Sequence, residues 1–446
     1  MSKEKRQMSL GAMLFYPAGE HIASWRHPQA EADKLMDFEY YKRFIQTAER
    51  GKFDLFFYAD EVYLWDRFES GISHANTIRP EPFTLLSALS VVTEHIGLAA
   101  TISTTYNEPY HIARKLATLD YLSKGRAAWN IVTSQADEEA RNFGKEKHMD
   151  HSERYERAKE FIDVTQGLWD SWEDDALLFD KESGYFADIN KLHNLDYKGK
   201  HFSVRGPLNV SRPPQGYPVL IQAGASDAGK ELAAAKAEVV FGPGGPIENA
   251  ISLYEDLKGR MAKYGRERDE LKILPAVSAV VGRTEAEAQE KLAIIEGLAP
   301  VRLGLDLLSH FLGRDISDLP LDEPLPFIPE IEGFNQSKSA LERLRQMVTE
   351  EKLTVRELAR RFTNRKSVVG TPEQIADYLE EWFVKGAADG FNLVFPHLPG
   401  CLDDFVDLVV PELQRRGLFR TEYTGNTLRE HFQLQRPASR FVNGRS

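Results

Sequence analysis

The sequence predicts an α/β protein in which eight strand–helix units follow one another along the chain. Short apolar runs are typical of buried strands, and the longer segments between them carry apolar residues at the three- and four-residue spacing of amphipathic helices. Strict alternation of the two favours a parallel sheet with helical crossovers. Eight such units favour closure into a (β/α)8 TIM barrel over an open sheet.

Each predicted element has its own local signal. The strands are apolar, often β-branched runs bounded by loop-forming residues, at 10–15, 53–59, 96–102, 127–132, 219–223, 239–241, 274–281 and 391–395. The helices are the amphipathic stretches at 39–50, 82–93, 110–123, 152–172, 227–236, 247–264, 284–297, 372–385 and 402–416.

Two segments exceed a minimal barrel. Residues 174–217 are rich in Lys, His, Gly and Pro, and residues 299–370 contain two short helical patterns, near 337–350 and 355–362. Long loops are uncommon unless functional, so both are predicted to be insertions on the catalytic rim. The tail from about residue 418 is polar and is predicted to be peripheral. We therefore expect residues 1–446 to form one barrel domain with two insertions.

Composition excludes several classes of partner. The 446 residues contain 56 Lys and Arg against 68 Asp and Glu, a net charge of −12, which disfavours nucleic acid and anionic membranes. The single cysteine, Cys401, cannot form an internal disulfide or a multi-thiolate zinc site. No apolar run is long enough to cross a membrane, and the first residues lead into no signal-peptide core. We expect a cytoplasmic protein.

Polar residues follow the ends of three neighbouring predicted strands. Asp60 ends the second strand, Thr101 and Ser103 end the third, and Asn130 and Ser134 follow the fourth. In a barrel these ends share the C-terminal rim, where active sites are built. Neutral hydroxyls and amides suit the edge of a planar, hydrogen-bonding ring. Each residue alone is also compatible with an ordinary turn or a loop cap.

The segment 219–230 resembles three motifs at once. As a phosphate loop it has Glu231 where a magnesium-binding hydroxyl is required, and as a nucleophile elbow it lacks the final glycine. The third interpretation places Ser226 at the start of a helix, where free N–H groups and a hydroxyl can hold a phosphate. Ser226 could equally be a helix cap and no more.

A further candidate phosphate contact opens the helix at 152. Tyr155 lies near its first turn, and His151 precedes it, although a surface histidine would fit the same position. His148 and His151 lie three residues apart with no cysteine partner and no HExxH pattern, so no metal site is predicted.

An ordered set of motifs along nearly the whole chain resembles one known family. These are WRHP (25–28), ERGKFD (49–54), STTYNEPY (103–110), GRAAWNIVTS (125–134), QAG (222–224), AADGF (387–391) and VPELQRRG (410–417). The chain resembles the bacterial-luciferase-like flavin monooxygenases, in the branch with nitrilotriacetate monooxygenase component A and dibenzothiophene-sulfone monooxygenase.

The resemblance implies a luciferase-type barrel that binds reduced FMN (FMNH2) supplied by a separate NAD(P)H:flavin reductase. Eight residues would bind the flavin: Asp60, Thr101 and Ser103 beside the ring, Asn130 and Ser134 lining it, and His151, Tyr155 and Ser226 at the ribityl-phosphate end. The insertion at 299–370 would form a lid, with His310 reaching the substrate. Family members are usually homodimers or homotetramers.

The predicted function is oxygenation by FMNH2 and O2 of a small organic substrate, such as an aminopolycarboxylate, thioether or sulfone, next to nitrogen or sulfur. Two alternatives stay open. A deazaflavin-dependent hydride-transfer oxidoreductase on the same fold would need no oxygen, and a flavin-binding protein would hold oxidised FMN without turnover.

Overall fold

The computed structural model describes residues 6–64, 69–224, 226–330, 338–364 and 366–441. The barrel strands are β1 Ser9–Leu14, β2 Leu55–Tyr58, β3 Gly97–Ser103, β4 Ala127–Val132, β5 Val219–Gln222, β6 Val239–Gly242, β7 Lys272–Val281 and β8 Gly390–Val394. Every neighbouring pair is parallel, and β8 pairs with both β7 and β1, so the sheet closes. The predicted (β/α)8 barrel is confirmed.

Helices alternate with these strands. They are α1 Phe38–Arg50, α2 Glu69–His74, α3 Pro82–Leu89, α4 Pro109–Leu122, α5 Asp137–Asn142, α6 His151–Trp169, α7 Asp227–Lys236, α8 Ile247–Arg260, α9 Glu285–Glu296, α10 Val301–Leu312, α11 Lys338–Thr349, α12 Val355–Thr363, α13 Pro372–Val384, α14 Gly400–Asp404, α15 Val410–Arg415 and α16 Leu428–His431. A π-helical turn, Phe405–Val409, joins α14 to α15.

Alternate strand residues fill the barrel interior, as the two-residue period of a strand requires. The interior cluster consists of Leu55, Phe57, Ala59, Ala99, Ala128, Val219, Ile221, Val239, Phe241 and Leu274 from the strands, joined by Leu428, Phe432 and Leu434. On β3 and β4 the same parity that buries Ala99 and Ala128 turns Thr101 and Asn130 inward nearer the C-terminal ends. The interior is therefore apolar toward the N-terminal ends of the strands and polar at their C-terminal ends, which form the mouth of the barrel.

Both ends of the first insertion lie opposite the catalytic rim, so the prediction that 174–217 belongs to the rim is wrong for them. Its middle reaches the first half of α6, where the Phe202 ring centre lies 4.3 Å from the guanidinium carbon of Arg157. The insertion follows α6, which leads from the C-terminal end of β4 back toward the start of β5. Arg212 within it lies 3.1 Å from Asp170, the residue that ends α6, and donates to the Pro437 carbonyl in the tail at 2.7 Å. A segment between a helix and the next strand begins and ends at the opposite end of the barrel from the rim.

The tail also differs from the expectation of a peripheral segment. Leu428 and Phe432 are buried members of the interior cluster. Leu428 fills the space beside Gly97, where an added Cβ would lie 2.5 Å from its Cδ1. Arg420 pairs with Asp54 at 2.5 Å, directly before β2. A few apolar residues in a polar sequence close the N-terminal end of the barrel, which hydrophobic patterning over so short a segment does not reveal.

The second insertion contacts the segments that follow β1 and β2. His21, in the loop after β1, lies 3.0 Å from Asn364 after α12. Ser70 of α2, which follows β2, donates to the Asp306 carboxylate of α10. The two predicted helices near 337–350 and 355–362 are present as α11 and α12, and α10 is an additional helix.

Across the described ranges, no helix combines the length and the apolar character needed to cross a membrane.

Candidate active site

The mouth of the barrel presents an amide with one free acceptor. Thr101 and Asn130 are paired in register on β3 and β4. Asn130 Nδ2 donates to Thr101 Oγ1 at 3.0 Å, and both residues are buried. Asn130 Oδ1 is buried as well and has no hydrogen-bond partner among the described residues. A buried acceptor without a partner costs stability, so this atom marks a position for a ligand donor.

A second hydrogen-bonded group lies at the C-terminal end of β3 and just after β4. Ser134 Oγ is 2.9 Å from Ser103 Oγ and 3.0 Å from the Glu139 carboxylate. Ser134 has φ of 55°, a left-handed conformation that non-glycine residues rarely adopt. Glu139 also accepts from the backbone N–H groups of Gln135 and Ala136, and Arg154 donates to the Ser134 carbonyl. These contacts hold the serine pair in one arrangement at the rim.

Asp60 lies two residues after the last residue of β2, Tyr58, and is partly buried. Burial raises the pKa of its carboxyl to about 7, against the opposing positive charge of Arg79. The pKa of the adjacent Glu61 is also raised by burial. A carboxyl that titrates near neutral pH at the mouth of a barrel fits a functional position.

The third group surrounds the start of α7. Ser226 is its N-cap and accepts from the Gly229 N–H at 3.1 Å. Tyr155 of α6 places its hydroxyl 3.5 Å from Ser226 Oγ, and its ring centre is 4.8 Å from that of His151. A Cβ on Gly224 would lie 2.7 Å from the Tyr155 oxygen, so only glycine leaves room there. The three residues predicted at the phosphate end are thus neighbours.

His310 lies on the second insertion. It is partly buried in the last turn of α10, one helical turn after Asp306, on the insertion rather than on the barrel. Its role toward a substrate stays a prediction.

Sequence reasoning missed Arg79, Glu139 and Arg154. Glu139 has a retrospective signal, because it is the third helical residue after Ala136 and its carboxylate caps the backbone there. Arg154 lies in the same helix turn as Tyr155. Arg79 lies in an irregular segment where no period or motif marks it.

Among the described residues no group of three or more His, Cys, Asp or Glu side chains is placed to hold a metal ion.

Comparison with known proteins identifies the family. The model of the luciferase-like monooxygenases matches residues 16–390. The chain is 48% identical to N-acetyl-S-(2-succino)cysteine monooxygenase of Bacillus subtilis (strain 168), over 99% of this chain and 100% of that one. It is also 48% identical to nitrilotriacetate monooxygenase component A of Aminobacter aminovorans, over 97% of each chain.

A solved structure extends this likeness to three dimensions. The crystal structure of riboflavin lyase with modified FMN and riboflavin superposes with a TM-score of 0.84 at 31% identity, over 97% of each chain. The predicted resemblance and the prediction of a monooxygenase are confirmed. The chain belongs to the luciferase-like monooxygenase family.

Proposed function

We propose that this protein uses reduced FMN and O2 to oxygenate a small organic substrate next to nitrogen or sulfur, with the FMNH2 supplied by a separate flavin reductase. The observation that carries the proposal is the unpaired, buried Oδ1 of Asn130 at the barrel mouth. Two relatives at 48% identity are monooxygenases, and a structural relative at 31% identity binds a modified FMN.

The ring end of the site fits an isoalloxazine. A reduced flavin presents N–H donors and carbonyl acceptors along one edge, which Asn130 Oδ1 and the hydroxyls of Thr101, Ser103 and Ser134 can complement. Asp60 would lie beside the ring. Because its carboxyl is protonated below about pH 7, it can donate a hydrogen bond there as well as accept one.

The group around the start of α7 suits the ribityl-phosphate end of FMN. Ser226 would offer its hydroxyl, and the first N–H groups of α7 carry partial positive charge toward an anion. Tyr155 and His151 would add an O–H and an imidazole on the opposite side. Gly224 leaves the space that a phosphate or ribityl oxygen would occupy.

The substrate class follows from the relatives. The names of the two relatives' substrates denote a nitrogen atom carrying acetates and a sulfur atom carrying carboxylated groups. A small molecule with a central nitrogen or sulfur and carboxylates is therefore the proposed substrate.

The chain's own residues supply binding, orientation and exclusion of water. When bound, reduced FMN supplies the two electrons that allow one atom of O2 to enter the substrate and the other to leave as water. Glu139 and Arg154 fix the Ser134 backbone and hydroxyl. The second insertion, which contacts the segments after β1 and β2 through His21–Asn364 and Ser70–Asp306, would cover the rim as a lid. A covered rim keeps bulk water from the reacting atoms. His310 on α10 would contact the substrate.

The test is an anaerobic titration of the purified protein with oxidised and then reduced FMN, followed by ¹⁸O2 in the presence of N-acetyl-S-(2-succino)cysteine or nitrilotriacetate. We expect preferential binding of the reduced form and one labelled oxygen atom in the product. Stable deazaflavin binding with no oxygen consumption would establish the hydride-transfer alternative instead. Tight binding of oxidised FMN without turnover would establish a flavin-binding protein.

The quaternary structure is proposed by family membership to be a homodimer or homotetramer. Light scattering of the purified protein tests this, and a monomer would contradict it.

A further inference from the structure

Arg79 lies over the aromatic side chains that follow β1. Its guanidinium carbon is 4.6 Å from the ring centre of Phe15 and 5.5 Å from that of Tyr16. Phe15 packs against the interior cluster of the barrel. The positive charge is therefore held above the barrel interior, on the side of β1 and β2, where Asp60 ends its strand.

The guanidinium has hydrogen-bonding capacity that the protein leaves unused. Arg79 Nη1 is buried and has no hydrogen-bond partner among the described residues. A buried charged donor without a partner destabilises the protein, because its lost hydrogen bonds to water are not replaced. The aromatic contacts stabilise the cation but cannot satisfy its N–H groups. Such an arrangement is expected where a ligand completes the pairing.

Two carboxyls, those of Asp60 and Glu61, share the electrostatic surroundings of Arg79. The charge of Arg79 opposes the rise in the pKa of Asp60 and of Glu61, which shows that both carboxyls lie within its electrostatic reach. Burial nevertheless raises both pKa values, that of Asp60 to about 7. Near neutral pH Asp60 therefore carries less than its full negative charge, and in the protonated form it can donate to an incoming carboxylate.

We propose that Arg79 binds a carboxylate of the substrate and selects carboxylated amines or thioethers over neutral ones. The guanidinium is planar and always charged, and it presents paired N–H groups that match both oxygens of a carboxylate. The rings of Phe15 and Tyr16 hold its plane before the substrate arrives, which lowers the ordering cost of binding. This inference rests on the proposed function, because it names the substrate class of the same site.

The test compares one ligand in charged and neutral form. N-acetyl-S-(2-succino)cysteine and its methyl esters have the same thioether core, but the esters lack the carboxylate charges. Binding of each is measured by calorimetry, anaerobically, to the enzyme saturated with reduced FMN, so the readout needs no turnover. The variants are Arg79→Gln, Arg79→Lys and, as the matched control, Arg268→Gln, an exposed arginine paired with Glu255.

We expect the wild type to bind the acid about tenfold more tightly than the esters. Arg79→Gln should remove this preference and leave ester binding unchanged, Arg79→Lys should retain part of it, and Arg268→Gln should retain all of it. Equal weakening of acid and ester in Arg79→Gln would overturn the proposal, since it would show that Arg79 only supports the aromatic rings. Unchanged acid binding in that variant would overturn it too.

The failure of this inference can be told apart from failure of the proposed function. Arg79-dependent binding of the acid without any oxygenated product would keep the assignment of Arg79 and refute the monooxygenase function toward this substrate. Equal oxygenation of the esters by wild type and Arg79→Gln, with no preference for the acid, would keep the function and refute the role of Arg79.

Discussion

Asn130 Nδ2 donates a hydrogen bond to Thr101 Oγ1 over 3.0 Å, across the register that pairs these two residues. Because the donor side of the amide is used within the barrel, the acceptor side is the one offered to a ligand. Asn130→Ala should weaken binding of reduced FMN about tenfold, the cost of one buried hydrogen bond to a ligand. Anaerobic fluorescence titration measures this. The matched control is Asn190→Ala on an exposed turn, and a dissociation constant within twofold of wild type would contradict the ring assignment.

Ser226 has two roles that a paired substitution separates. Ser226→Ala should lower the unfolding free energy by about 1 kcal/mol through loss of the helix cap. It should also weaken FMNH2 binding while leaving binding of reduced riboflavin, which has no phosphate, unchanged. Thr284→Ala removes the corresponding cap of α9 and should reproduce only the stability loss. If both variants bound FMNH2 like wild type, Ser226 would be a cap and no more.

His310 on α10 is the candidate substrate contact of the second insertion. His310→Ala should lower turnover without changing the affinity for reduced FMN, because the residue lies on α10 rather than among the barrel strands. Steady-state product formation and flavin titration together test this. His111→Ala, at an exposed position of α4, is the control. Undiminished product formation at saturating substrate in His310→Ala would remove the assignment.

Asp60 makes the stability of the ligand-free protein depend on pH. Its carboxyl has an ordinary pKa of 3.8 and a folded pKa of about 7. The folded protein therefore binds more protons between these values, and the unfolding free energy falls as pH rises through them. Asp60→Asn should remove this dependence. The unfolding free energy of the variant should therefore rise by about 2 kcal/mol relative to that of wild type between about pH 5 and pH 8. Urea unfolding at both pH values tests it, with Asp33→Asn, an exposed residue, as control. A constant difference between variant and wild type would contradict the raised pKa.

Arg420 pairs with a carboxylate that is fully buried. The Asp54 side chain is 0% exposed, and burial raises its pKa to about 6. Arg420→Met should lower the unfolding free energy by about 3 kcal/mol, because it leaves a buried charge without its partner. Arg415→Met, which removes a 71%-exposed arginine paired with Glu412, should cost far less. Similar urea midpoints for the two variants would show that the tail contact is not stabilising.

The strands and most helices were predictable because their signals are local. Parallel strands buried on both faces leave uninterrupted apolar runs, and all eight were identified. The predicted helix at 82–93 ends earlier, at Leu89, where Ser90 donates its hydroxyl to the Ser87 carbonyl and ends the regular pattern. The helix α10 was missed because it lies in a segment interpreted as an insertion.

The residues of the candidate site likewise fall into those that the sequence predicts and those that it does not. Thr101 and Asn130 were predictable because strand ends converge on one rim. Arg154 and Arg79 were not, since each gains its position from a contact that folding makes between separate segments. Glu139 instead caps the backbone only three and four residues before it, so its signal was local although it was missed. The side chain of Arg79 meets Phe15, more than sixty residues away, through the pairing of β1 with β2.

The tail that closes the N-terminal end of the barrel also constrains the order in which the chain can complete its fold. Leu428, Phe432 and Leu434 follow all eight strands along the chain, yet the interior cluster needs them. A nascent chain that has already made β8 still lacks part of its core. Final consolidation of the barrel must therefore wait until residues 428–434 have been synthesised, and translation that stops before them leaves a product with exposed interior, which cellular quality control recognises as unfinished.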